Sequence, residues 1–145
     1  MHPARERLLE GFLMRLAIAR DAEAFALRGG MLVRSWVPGR RVRDLDLVCS
    51  LPYQPRAIET RLREILATHV DDGTTFDAER FRVDRWPSGL SVFAIGELDG
   101  AIARLVVDLT FQLDIWPAAV PSELAMTRGT ARIWTCPHED RKSVV

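Results

Sequence analysis

FALRGG at residues 25–30 and RDLDLVC at residues 43–49 carry the strongest structural signals in the chain. The first segment opens with a short apolar run that predicts a β-strand, and it ends at Gly29-Gly30, a pair typical of a tight turn. The second segment alternates polar and apolar residues before it becomes apolar, which predicts another strand. Side chains two residues apart emerge on the same face of a strand, so Asp44 and Asp46 lie together, roughly 7 Å apart at the backbone.

The rest of the chain divides into helical and strand patterns. Apolar residues recur at helical spacing in two segments, and residues 31–36 suggest one or two further helical turns. Two long apolar runs meet at Asp99-Gly100, a strong hairpin signal. The predicted helices are 3–24 and 56–69, and the predicted strands are 25–27, 44–49, 80–86, 90–98, 101–112 and 130–135. This pattern predicts an α+β fold in which helices flank a mixed sheet.

Length and composition fit a single globular domain. The chain has 145 residues, of which 48% are hydrophobic, and a domain of this length buries roughly two-thirds of its unfolded surface. We therefore expect one domain over residues 1–145. The 20 basic and 20 acidic residues balance, which argues against a general attraction of the whole chain to nucleic acid or membranes.

Targeting and cysteine signals indicate a cytoplasmic protein. The charged amino terminus lacks the apolar core of a signal peptide, and no apolar run approaches the ~20 residues that span a bilayer. Cys49 and Cys136 form no CxxC or Cys/His metal pattern, which is typical of a reduced compartment. We expect a cytoplasmic protein with no membrane partner.

Three carboxylates carry the chemistry. Asp108 interrupts the apolar run 104–109, where an acid is costly unless it is paired or binds a cation. If its strand lies beside that of Asp44 and Asp46, the three acids converge. Such a cluster repels itself until divalent cations fill it, and its oxygen ligands suit Mg²⁺, which also binds substrate phosphates. Two such ions, about 4 Å apart, would stabilise the attacking and leaving oxygens of an in-line phosphoryl transfer.

Gly29-Gly30 completes this hypothesis. A glycine turn between a strand and a helix start presents backbone N–H groups to an anion, and glycine lets a triphosphate approach the backbone closely. Arg28 and Arg34 are the nearby cations that could assist, whereas Met31 offers no hydroxyl.

Each of these features also has a plainer interpretation. A D-x-D sequence is often an exposed strand end, and a glycine pair is usually only a turn. Asp108 could pair with Arg104 or another arginine in a structural salt bridge. The occurrence of all three features in this order favours a metal-dependent nucleotidyltransferase site over these separate interpretations.

The remaining polar residues give weaker signals. We interpret Asp71-Asp72 and residues 77–79 as solvated loop acids. Four serines lack the context of a nucleophile elbow, so serine hydrolysis is unsupported; they are Ser35, Ser50, Ser88 and Ser91.

The two quoted segments resemble the AbiEii/AbiGii toxin-type nucleotidyltransferases, part of the polymerase-beta-like superfamily. The family pattern is a basic residue and two glycines, a short helix, and then Arg-x-(Ser/Thr)-x-Asp-x-Asp, with a third Asp on a later strand. Residues 27–30 and 40–47 carry this pattern here, and the resemblance runs from about residue 25 to residue 135. It implies a nucleotidyltransferase-like mixed sheet flanked by helices.

The resemblance also implies residue roles and an activity. The catalytic and metal-binding residues would be Asp44, Asp46 and Asp108, and the nucleotide-binding residues would be Arg28, Gly29, Gly30 and Arg40. With two Mg²⁺ ions, the protein would move a nucleoside monophosphate from a nucleoside triphosphate to a hydroxyl of RNA, such as a tRNA end, or of a protein. Relatives act as toxins paired with an antitoxin, so a cognate antitoxin is an expected partner.

The chain departs from the family pattern at several points. Met31 and Val42 stand where relatives carry hydroxyl residues, which weakens phosphate binding but removes no metal ligand. Relatives continue into a helical C-terminal half with a further basic residue. We expect the chain to lack most of this half, and we do not expect Lys142 to replace that basic residue. The alternative to an active enzyme is a catalytically inactive remnant that acts as a binding or interaction module.

Overall fold

The computed structural model describes residues 3–34, 42–112 and 118–136. The helices are α1 (Pro3–Ala17), α2 (Gly30–Val33) and α3 (Pro55–Ala67), with a short 3₁₀ helix at Ala22–Ala24. The strands are β1 (Phe25–Arg28), β2 (Leu45–Cys49), β3 (Thr74–Phe76), β4 (Arg82–Trp86), β5 (Gly89–Leu98), β6 (Ala101–Phe111), β7 (Val120–Met126) and β8 (Gly129–Thr135). None of the helices in the described ranges is long and apolar enough to cross a membrane.

One mixed sheet contains all eight strands of the described residues. Its order is β3-β5-β6-β2-β1-β8-β7, and β4 also pairs with β5. At the centre, β2 runs parallel to β6 and antiparallel to β1, while β1 runs parallel to β8. Helices flank this sheet, so the predicted α+β fold is confirmed.

The β5–β6 hairpin sets the register of the site. Asp99 and Gly100 form its turn, both with positive φ (49° and 87°), as the two central residues of a type I′ turn require. Leu98 therefore pairs with Ala101, and counting back along both strands places Ser91 opposite Asp108. The hairpin predicted at this dipeptide is confirmed.

The two faces of the sheet have different surroundings. On one face, α1 and α3 pack over buried apolar side chains of the central strands, such as Leu47, Leu105, Val107 and Leu109. On the opposite face, Ala26, Val48 and Cys136 form a smaller buried cluster. Asp46 and Asp108 are half-buried members of this second face, because side chains alternate along a strand.

Two local expectations are wrong in detail. The first helix ends at Ala17 rather than continuing to residue 24, and Asp21 adopts a left-handed backbone (φ 61°) before the 3₁₀ turn. Asp72 is not a solvated loop acid, since it is 5% exposed. Its Oδ1 accepts hydrogen bonds from the backbone N–H and hydroxyl of Thr74, and its Oδ2 lies 3.8 Å from buried Arg15.

Candidate active site

Gly29 joins β1 to α2 in a backbone conformation that favours glycine. Its φ is 77° and its ψ is −153°, a region that is essentially restricted to glycine. A Cβ at this position would lie 3.2 Å from the Asp46 Cβ and 3.4 Å from Asp46 Oδ2. Gly29 and Asp46, which are 17 residues apart in sequence, therefore lie so close that Asp46 occupies the space beside the Gly29 Cα.

Asp46 lies between two strands that each place a functional side chain beside it. Arg28 is its register partner on β1, and Asp108 is its register partner on β6. Arg28 Nε lies 3.3 Å from Asp46 Oδ2, and Arg28 Nη2 lies 3.5 Å from the Thr110 hydroxyl. The guanidinium thus serves as the counter-charge of this carboxylate.

Asp108 has a different partner. The Ser91 hydroxyl donates a hydrogen bond of 2.7 Å to Asp108 Oδ1. Within the described ranges, no arginine forms an ion pair with Asp108, so the salt bridge considered for Arg104 is absent. A neutral hydroxyl satisfies one carboxylate oxygen without cancelling the negative charge.

Asp44 precedes β2 and its side chain is exposed. Partial burial and the nearby Asp108 carboxylate raise its pKa, while Arg5 and Arg43 lower it. Burial also raises the pKa of Asp46; Arg28 opposes this effect and Asp108 adds to it. Asp108 thus acts electrostatically on both other acids, which shows that the three carboxylates share one region of negative potential.

The donor chemistry fits a divalent cation, although the carboxylates are not gathered around one point. Two acids in register on neighbouring strands, with a third two residues away, offer the hard oxygen ligands that Mg²⁺ uses. In the part of the chain that the structure describes, however, no group of three or more His, Cys, Asp or Glu side chains is close enough to hold a metal ion. Arg28 occupies one oxygen of Asp46 instead.

The other predicted phosphate contacts differ in outcome. Arg34 forms ion pairs with two glutamates of α1 and not with the three aspartates: its Nη1 lies 3.0 Å from Glu6 and 2.9 Å from Glu10. Arg34 therefore links the end of α2 to α1. Val42 packs against Gly30, 3.6 Å from where a Cβ would stand. Arg40, Arg41 and Lys142 lie outside the described residues.

Ser91 and Thr110 are site residues that sequence reasoning missed. The signal for Ser91 was available, because a two-residue turn at Asp99-Gly100 fixes which residues of the two strands face each other. The contact of Thr110 with Arg28 had no comparable signal, since it depends on the order of β6, β2 and β1 in the sheet.

One cavity among the described residues lies apart from the three aspartates. It has a volume of about 510 Å³ and lies between α1, α2 and β7, with Glu10, Met31 and residues 123–127 among its walls. None of the three aspartates lines it. The candidate active site is consequently the sheet face that carries Asp46 and Asp108 rather than this cavity.

Comparisons with known proteins identify a family and similar folds. The family model described as "Nucleotidyl transferase AbiEii toxin, Type IV TA system" matches residues 11–140. The fold is similar to the crystal structure of JHP933 from Helicobacter pylori, with a TM-score of 0.60 and 12% identity, covering 97% of this chain and 53% of that one. It is also similar to a candidate nucleotidyltransferase from H. pylori, with a TM-score of 0.59 and 15% identity, covering 97% and 55%.

The chain thus spans about half the length of these two structures. No sequence among the curated proteins matches it.

Proposed function

Because the chain belongs to the AbiEii nucleotidyltransferase toxin family, we propose that it transfers a nucleoside monophosphate from a nucleoside triphosphate to a hydroxyl acceptor, as the toxin of a toxin–antitoxin pair. The observation that carries this proposal is the register pairing of Asp46 with Asp108 on adjacent parallel strands, with Gly29 in contact with Asp46. The family's two sequence signatures and its later strand acid thereby meet on one face of the sheet.

The three aspartates are the metal ligands in this proposal. Asp44, Asp46 and Asp108 would hold two Mg²⁺ ions. After the larger effect of burial, Asp108 also raises the pKa of Asp44 and of Asp46, which supports mutual repulsion among the three carboxylates that a cation would relieve. When bound, Mg²⁺ supplies electrostatic stabilisation of the charge that develops during phosphoryl transfer.

The glycine turn and the arginines bind the triphosphate. At Gly29 the absence of a side chain leaves the backbone close to Asp46, so phosphate oxygens can approach both the N–H groups and the acids. Arg28 is within reach of the same carboxylate and provides a guanidinium suited to phosphate. Arg40 supplies a second cation in the family pattern.

Asp108 receives the proton of the acceptor. As the acceptor hydroxyl oxygen forms its bond to the α-phosphorus, the bond to the bridging oxygen breaks and pyrophosphate leaves. The hydroxyl proton passes to a carboxylate oxygen of Asp108. An RNA hydroxyl, such as that at a tRNA end, or a protein hydroxyl satisfies this chemistry, and a cognate antitoxin is the proposed partner that restrains it.

The test is transfer of label from α-³²P nucleoside triphosphates to cell RNA or cell protein, with Mg²⁺ or with a chelator. We expect labelling that requires Mg²⁺ and is lost in the Asp44→Ala, Asp46→Ala double variant. Glu97→Gln is the matched control, because this exposed acid lies on β5 away from the position where Ser91 pairs with Asp108. Full labelling by the double variant would refute the assignment of the acids.

A catalytically inactive binding module is the second candidate. It is favoured by the Arg28–Asp46 ion pair and by the apolar Met31 and Val42 at positions where relatives carry hydroxyls. No labelling with any nucleoside triphosphate, together with no rise in melting temperature on adding triphosphate and Mg²⁺, would support this module over the enzyme.

A further inference from the structure

A row of register-paired side chains crosses four neighbouring strands on the sheet face that carries Asp46 and Asp108. Ser91 on β5 pairs with Asp108 on β6, Asp108 pairs with Asp46 on β2, and Asp46 pairs with Arg28 on β1. The two central members are the proposed metal ligands. The two outer members are their hydrogen-bond partners, so each ligand is held from its outer side.

The two partners act on their carboxylates in different ways. Arg28 carries a full positive charge and partly offsets the effect of burial, which raises the pKa of Asp46. Ser91 is neutral and contacts Asp108 at 2.7 Å, compared with 3.3 Å for the Arg28 contact. A hydroxyl donates one proton to one oxygen, so Ser91 restricts the orientation of Asp108 through Oδ1 and leaves Oδ2 outside this hydrogen bond.

Restricted orientation matters because Asp108 has two proposed tasks. It must present an oxygen towards the metal site beside Asp46, and it must accept the proton of the acceptor hydroxyl. Partners of metal ligands that fix ligand orientation commonly influence metal affinity as strongly as 10–100-fold. Ser91 lies directly opposite Asp108 in the strand register. Because backbone pairing fixes both Cα positions, its hydroxyl restricts the orientation of the Asp108 carboxylate rigidly.

We propose that Ser91 is a positioning residue for Asp108: its hydroxyl holds Asp108 Oδ1 and thereby directs the rest of the carboxylate to the metal and to the acceptor hydroxyl. This inference rests on the proposed function, since it assumes that Asp44, Asp46 and Asp108 bind a divalent cation.

The matched variants are Ser91→Thr and Ser91→Val. The two side chains have nearly the same shape and both favour strands, so they differ mainly in the hydroxyl. Ser88→Ala is a control outside the row, because Ser88 is exposed in the turn before β5. Binding of Mn²⁺ to the full chain is measured by electron paramagnetic resonance, alone and with a triphosphate whose α,β bridge cannot be cleaved. Urea unfolding of the metal-free chains reports stability separately.

We expect Ser91→Val to bind Mn²⁺ about 10- to 100-fold more weakly than wild type, and Ser91→Thr and Ser88→Ala to bind it as wild type does. If Ser91→Val and Ser91→Thr bind Mn²⁺ equally, Ser91 is only a structural contact and the inference is wrong. If wild type and the Asp44→Ala, Asp46→Ala double variant are equally unable to bind Mn²⁺, the proposed function itself fails. These two failures are distinguishable because only the second abolishes binding by wild type.

Discussion

Replacing each of the two adjacent glycines with alanine should have opposite effects on stability. At Gly29, the φ of 77° and ψ of −153° lie in a region where a residue other than glycine costs about 1–3 kcal/mol. The added Cβ would also lie 3.2 Å from the Asp46 Cβ, so Asp46 or the turn must shift. We expect Gly29→Ala to lower the free energy of unfolding by about 2 kcal/mol, which corresponds to about 4–8 °C in melting temperature for a chain of this size.

Gly30 is the internal comparison. It begins α2, and among the described residues its added Cβ would meet Val42 alone, with Cγ1 at 3.6 Å and Cγ2 at 4.0 Å, both ordinary van der Waals distances. Where alanine fits the native backbone, it stabilises by about 0.4–1 kcal/mol, because it reduces the freedom of the unfolded chain. Gly30→Ala should therefore be neutral or slightly stabilising, although the two positions are neighbours.

Urea unfolding followed by far-ultraviolet circular dichroism measures both effects. Gly100→Ala separates the two causes at Gly29, because Gly100 also has a positive φ (87°) but has no atom within 4 Å of an added Cβ. Gly100→Ala should lower the free energy of unfolding by less than Gly29→Ala does. Unfolding of Gly29→Ala at the urea concentration of wild type, or equal destabilisation of Gly30→Ala and Gly29→Ala, would contradict this expectation.

Three further predictions concern charge and burial. Burial, and after it Asp108, raises the pKa of Asp44. The folded chain therefore binds the proton of the Asp44 carboxyl more tightly than the unfolded chain does. The free energy of unfolding then falls as the pH rises from the ordinary pKa of an aspartate through the raised pKa of Asp44. Asp44→Asn should thus be more stable than wild type in urea at about pH 7 and should lose that advantage at about pH 3; an equal difference at both pH values would contradict this. Asp72→Ala removes the carboxylate that pairs with buried Arg15 among the described residues and should lower the free energy of unfolding by about 3–5 kcal/mol. A loss below about 1 kcal/mol in a thermal melt, the range of exposed pairs, would show that the hydrogen bonds Arg15 donates to Gly11, Thr68 and Thr74 suffice alone. Burial raises the pKa of Cys49 to about 11, so iodoacetamide should modify the Cys49 peptide only in urea, and rapid modification of the native chain, seen by mass spectrometry, would show that the thiol is accessible.

The central sheet was predictable because its signals are local. The apolar runs of β5 and β6 and the dipeptide between them specify a hairpin, and the alternation in β2 specifies which face carries Asp46. That Asp108 lies beside Asp46 was only a conditional expectation, since no local pattern says that β2 and β6 are neighbours. In the structure β2 and β6 pair in parallel, and this pairing brings Asp108 beside Asp46.

The elements that sequence reasoning missed depend on contacts that are distant in the chain. β3 has only three residues, too few for a period to be recognised. β7 contains Pro121 and is largely exposed at the edge of the sheet, so its pattern is neither apolar nor alternating, as edge strands permit. Asp72 follows another acid and precedes a glycine, which is typical of a surface loop, and only its approach to Arg15 on α1 accounts for its burial.

The Arg28–Asp46 ion pair is compatible with a metal site at the same carboxylate. The Arg28 side chain is 27% exposed and that of Asp46 is 41% exposed, and pairs open to water contribute only about 0–1 kcal/mol. In the proposed site a divalent cation would interact with Asp44, Asp46 and Asp108, whereas Arg28 forms an ion pair with Asp46 alone. Metal binding at Asp46 would therefore displace only this weak pair. A triphosphate offers the released guanidinium a new anionic partner, so binding of metal and of nucleotide should each strengthen the other, as thermodynamic linkage requires of any two ligands coupled through a shared group.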